Sequence, residues 1–112
     1  NKLQPDKYDN AIQVLAIAKY RNGYFFEATE LLKKQILYSQ NTKNPVDPVD
    51  LAFYAMSLYC SGNKQQALEA LQKLDDLMKI NELSKDEANQ RFYAEAFRLI
   101  NPLIIPEEIF QK

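Results

Sequence analysis

The chain has 112 residues, 14 Lys plus Arg against 15 Asp plus Glu and a net charge of −1, so it holds one small domain and has no overall field to attract nucleic acid or an anionic bilayer. It contains no His and no Trp, one Cys and two Gly. That removes the commonest general base and metal ligand and any glycine-rich phosphate loop, and it argues against a turn-rich all-β fold.

Residue 1 is Asn, which fits a fragment or a processed chain, and no basic stretch followed by an apolar run marks a signal peptide. Over 8–22, Tyr8, Ile12, Leu15, Ala16 and Tyr20 recur at three- and four-residue steps. That spacing predicts a helix, with Asp6 or Asp9 placed to cap its start. Asn22-Gly23 predicts a turn in which glycine is free to take positive φ. A second helix is predicted over about 25–39, with Ala28, Leu31, Leu32, Gln35 and Ile36 on one stripe and Lys33 and Lys34 on the solvated face. Asp47-Pro48 then offers an N-cap followed by a proline suited to the first helical position. Leu51, Tyr54, Ala55 and Leu58 form the buried stripe of that third helix. Ser61-Gly62-Asn63 is the next turn signal, and Asn63 with Gln66 resembles a capping box. Ala67, Leu68, Leu71, Leu74, Leu77 and Met78 carry a fourth helix to about 80. Ser84-Lys85-Asp86-Glu87 predicts a capping box that opens a fifth helix over about 84–100, along which Ala88, Phe92, Ala96 and Ile100 step by fours. Asn101-Pro102 ends it. The apolar tail 103–112 starts another short helix at Pro106 or folds back as a lid.

The pattern repeats at 39 residues. Gly23 and Gly62 are 39 apart, as are Ala28 and Ala67, Ala16 and Ala55, and Tyr20 and Tyr59. Glu27-Ala28-Thr29-Glu30-Leu31-Leu32 aligns with Gln66-Ala67-Leu68-Glu69-Ala70-Leu71. A helix–turn–helix with these small residues around the glycine resembles the tetratricopeptide repeat, in which two helices pack closely where the small side chains meet. The frame fits 9–42 and 48–81, with Lys43 to Asp47 inserted between. Phe25 takes the aromatic place after the first turn, Lys64 departs from it in the second, and Leu32 and Leu71 take the later large apolar place. Proline is missing at both repeat ends. The segment from Pro48 to Ile100 is similar to repeats near the C-terminal ends of large multidomain bacterial proteins, some with kinase or propeller domains upstream.

The resemblance implies an all-α fold: an antiparallel helical-hairpin solenoid of two such repeats plus a C-terminal capping helix, one domain over 1–112. It also implies a concave groove lined by the first helix of each pair. Those positions are Asn10, Gln13, Ile17, Tyr20 and Arg21, then Val49, Ala52, Met56, Tyr59 and Cys60, with Phe53 joining from the adjacent row. The Lys, Asn and Arg pattern by which some family members grip a peptide carboxylate is absent, so this groove is apolar and aromatic. It docks an amphipathic helix or peptide, or helix 84–100 and the tail already fill it as core. Tyr24 and Phe26, beside Phe25, are surface aromatics that contact a partner or a second copy, or pack beneath a chain end.

Catalytic signals are sparse. Asp75-Asp76, Glu107-Glu108 and Asp86-Glu87 are sequence neighbours, which point about 100° apart on a helix and do not converge. Cys60 has no His to activate it and reads as a small buried apolar residue. No zinc-type ligand cluster and no nucleotide loop are present. The chain therefore reads as a non-catalytic protein–protein interaction module of a larger protein or assembly, with no cofactor and no metal, or else as a structural homodimerisation or intramolecular packing domain beside a catalytic domain such as a kinase. Its partner is a protein or peptide, or a second copy in a homodimer; nucleic acid and membrane are not expected partners. The lone thiol and the lack of a long apolar run place it in the cytoplasm.

Overall fold

The computed structural model describes residues 5–42 and 45–101, with side chains for all of these except 5–9 and 81. Among them the regular structure is entirely helical: α1 (Pro5–Arg21), α2 (Phe25–Asn41), α3 (Pro48–Cys60), α4 (Lys64–Met78), α5 (Asn81–Ser84) and α6 (Glu87–Ile100).

α1 and α2 form one antiparallel hairpin, and α3 and α4 form another. Both turn on the same device. Gly23 takes φ +87° and Gly62 φ +91°, in the left-handed region that only glycine enters without strain. The amide of Tyr24 donates to the Lys19 carbonyl and that of Gly23 to the Tyr20 carbonyl, at 2.8 and 3.0 Å. The second turn repeats this, with Asn63 donating to Leu58 and Gly62 to Tyr59, at 2.9 and 3.1 Å. Each is a Schellman motif, which satisfies carbonyls that a helix end leaves open.

α3 begins where the sequence indicates. The Asp47 side chain accepts from the Val49 amide at 2.9 Å, with Pro48 at the first position. Three other starts differ from expectation. α1 begins at Pro5, which places Asp6 and Asp9 within the helix and not at its cap. Asn63 makes no side-chain capping bond; its backbone closes the preceding turn. The last long helix starts at Glu87, not at Ser84. Its N-cap is Asp86, whose carboxylate accepts from the Ala88 and Asn89 amides at 2.8 and 3.2 Å. Ser84 instead ends the single turn α5, with its amide donating to the Ile80 carbonyl at 3.1 Å. The side-chain amides of Asn89 and Gln90 reach back to the carbonyls of Leu83 and Ser84 and tie the two helices together.

α3 is the centre of the molecule. It packs against α1, α2, α4 and α6 and is buried on every side, from Pro48 through Leu58 with only Tyr54 partly exposed. This follows from Leu-Ala-Phe-Tyr-Ala-Met-Ser-Leu, which is apolar all round the helix. Phe53, Met56, Leu32 and Leu74 are its largest fully covered neighbours and members. The expected tail 103–112 lies outside the described residues. No helix among the described residues is long and apolar enough to cross a membrane.

Candidate functional site

The face expected to be a groove is covered. α6 lies across α3 and reaches α1. The rings of Phe25, Tyr20, Phe53 and Phe92 form a row with centroids 5.6, 5.5 and 4.9 Å apart, in tilted or edge-on geometry. The Arg21 guanidinium stands over Phe53 at 5.2 Å and over Tyr20 at 5.7 Å. Its Nη1 and Nη2 both donate to the Glu95 carboxylate, the latter at 3.0 Å. Residues 74 apart in sequence thereby strap α1 to α6 above Phe53.

Ala52, Phe53 and Met56 consequently have no exposed surface. Of the two uses open to that stripe, these three serve as core. Tyr20 is half-buried. Burial, reinforced by Cys60 and Glu95, pushes its phenol well above the ordinary tyrosine range. Ile17 packs at the edge of the core. Gln13 does structural work: its Nε2 donates to Asp47 at 3.0 Å and to the buried Asp50 at 2.9 Å, joining α1 to the start of α3. Tyr59 is partly exposed beneath the Lys64 ammonium at 5.6 Å, and Cys60 is a free thiol beside it. Asn10 is exposed and Val49 buried.

Tyr24 and Phe26 do face outward, 56% and 71% exposed. They do not form one patch with the stripe above. The Lys19 ammonium lies 5.1 Å from the Tyr24 ring while also pairing with Glu27 at 2.7 Å. On the outer side of α1, Ala11, Val14, Leu15 and Ala18 form an exposed apolar stripe at three- and four-residue steps.

A concavity lies on the other side of α3. α2 and α4 splay there and leave a cleft of about 370 Å³. Leu51, Tyr54 and Leu58 of α3 form its floor, Ile36 one wall, and Ala70 and Leu77 the other, with Val46 at one end. Gln40, Gln66, Glu69, Lys73 and Asp76 form an exposed polar rim. The Tyr54 phenol is pushed up by burial and then by Glu30 of α2. A smaller hollow of about 270 Å³ lies between α4 and α6, where the Tyr93 hydroxyl donates to Asp75 at 2.6 Å.

Sequence reasoning placed Leu51, Tyr54 and Leu58 on a buried stripe. The periodicity carries no signal that two flanking helices stand far enough apart to leave that stripe under a cleft. Among the described residues no group of three Cys, Asp or Glu side chains is arranged to hold a metal ion. Set against known proteins, the chain matches no family model, no curated protein and no solved structure.

Proposed function

We propose that this chain is a non-catalytic protein–protein interaction module of a larger protein or assembly, and that it works by burying an apolar stripe of its partner. The observation that carries this reading is the cleft between α2 and α4. It pairs an apolar floor and walls with an exposed polar rim, the composition of a binding surface with a dry centre and a wet margin. The concave face is a poorer site, because docking there requires α6 to leave Phe53 and Arg21.

We further read the two hairpins as tetratricopeptide-like repeats stacked as a short solenoid capped by α6. Two observations support this. The Schellman turns recur 39 residues apart, and Ala16, Ala28, Ala55 and Ala67 are all fully buried, as close packing at the small positions requires.

The interaction reading is tested by selecting ligands from a displayed peptide library on the immobilised chain. Ligands are then retested on a Gln40→Trp/Gln66→Trp variant, which overhangs the cleft from exposed rim positions and whose melting curve is checked first. Loss of binding of at least tenfold is expected. Undiminished binding by a folded variant rejects the cleft.

A second reading has its own observation. The stripe Ala11, Val14, Leu15, Ala18 is exposed, with Val14 at 58% and Leu15 at 47%, which favours a structural packing or homodimerisation role. Light scattering tests the homodimer: a dimer that becomes a monomer on Leu15→Glu supports it, and a monomer at all concentrations removes it.

A further inference from the structure

We infer that the exposed apolar stripe of α1 is the seat of a further helical hairpin of the same repeat, lying ahead of α1 in a longer polypeptide; this rests on the structural packing reading of that stripe and names what packs there. The 39-residue offset sets the register. It carries Ala11, Val14, Leu15 and Ala18 onto Asp50, Phe53, Tyr54 and Ser57 of α3. A second step of 39 carries those onto Asn89, Phe92, Tyr93 and Ala96 of α6.

On α3 this stripe faces the hairpin before it. Asp50 accepts from Gln13 of α1 at 2.9 Å, the Phe53 ring lies 5.5 Å from that of Tyr20, and Tyr54 shares a cleft with Ile36 of α2. On α6 the stripe again faces the hairpin before it. The Phe92 ring lies 4.9 Å from that of Phe53 on α3, and the Tyr93 hydroxyl donates to Asp75 of α4 at 2.6 Å. Asp50, Phe53, Ser57, Asn89 and Ala96 are buried, and Tyr54, Phe92 and Tyr93 partly so. On α1 all four positions are exposed. One interface thus recurs twice along the chain, and the same face of α1 is left uncovered.

That continuity selects the occupant. A unit that ends a stack carries a polar outer face, whereas the outer stripe of α1 is aliphatic. A second copy has no hairpin free to cover it, because α3 packs on its first hairpin and α6 on its second. Each covering hairpin also precedes the helix it covers, through the short links 42–47 and 79–86. Ala11 stands where α3 has Asp50 to receive Gln13, so the covering face is apolar there, with no buried donor left to satisfy.

The test is photo-crosslinking in the intact polypeptide, with a benzophenone amino acid in place of Leu15, which is 47% exposed. Isotope-labelled and unlabelled protein are mixed, which separates links within a molecule from links between molecules. Links are expected within one molecule, to the stretch of about one repeat length ahead of residue 1. Leu15→Glu is expected to lower the melting temperature of the intact polypeptide by about 4 °C or more and to leave that of the 112-residue chain unchanged. Links between molecules identify a second copy, and links to 103–112 or to a distant domain identify another cover. Either result overturns the inference and leaves the packing reading standing. Equal melting shifts in the two proteins also overturn the inference. No link at all overturns both.

Discussion

Gly23 and Gly62 share a left-handed φ, and a Cβ built at either meets nothing within 4 Å. The cost of alanine at each is therefore backbone strain without a clash. Gly23→Ala and Gly62→Ala should each lower stability by about 1–2 kcal/mol, and by similar amounts, in urea unfolding. A near-neutral result at either would show that the turn relaxes. This much was legible in the sequence, because Asn-Gly and Ser-Gly-Asn between periodic stretches leave few alternatives. Ser57 was not. It sits at the centre of α3 with no exposed surface, and its Oγ has no hydrogen-bond partner among the described residues. A buried unpaired hydroxyl is a net cost, so Ser57→Ala should raise stability by about 1 kcal/mol; destabilisation would reveal a hidden partner. Tyr93 adds a pH dependence. Burial, then its bond to Asp75, pushes its phenol from 10.0 to about 12. The unfolded phenol ionises first as pH rises. This contribution is thus full below about pH 10 and is lost between about pH 10 and 12. Tyr93→Phe should make that alkaline fall shallower in denaturant midpoints measured from pH 8 to 12, leaving the part due to Tyr20 and Tyr54.

At the level of helices, capping decides where α6 starts. Ser84-x-x-Glu87 satisfies the capping-box pattern in sequence, but Asp86 is an equally good cap two residues on. The Asn89 and Gln90 amides, bonded to α5 carbonyls, favour the later start. Such a choice depends on what precedes the helix in space, which the local pattern does not encode. Asp86→Ala should cost about 1 kcal/mol and Asn63→Ala under about 0.5 kcal/mol, since only the first side chain caps a helix. Thermal melts of the two variants check the order; equal losses would return Asn63 to a capping role. The stripe of α2 followed from periodicity, with Ala28, Leu32, Gln35 and Ile36 buried and Leu31 partly so; on α4 Ala67, Leu71 and Leu74 are buried and Leu77 and Met78 partly, whereas Leu68 is 43% exposed.

Across the whole molecule, a linear repeat array lets each unit touch only its neighbours and fold in nearly independent steps. Here α3 touches four helices, and the Arg21–Glu95 strap joins the first hairpin to α6. The molecule should therefore unfold as one unit. Residues 1–42 by themselves, which hold α1 and α2 but none of α3, should show no cooperative helical melt by circular dichroism. A sharp transition would restore independent repeats. The strap could not be read from the sequence, and the placement of α6 over the groove was only one of the two readings the sequence left open. An apolar α3 demands cover on all sides, but its composition does not say which later segment supplies that cover.

The all-round burial of α3 also has a consequence during synthesis. The helix is complete at Cys60, while its last cover is complete only at Ile100. At about 5–20 residues per second, ribosomes take roughly 2–8 s to make that difference. For those seconds the most apolar stretch of the nascent chain has no α6 to shield it, which makes residues 48–60 the segment most exposed to intermolecular association before folding is done.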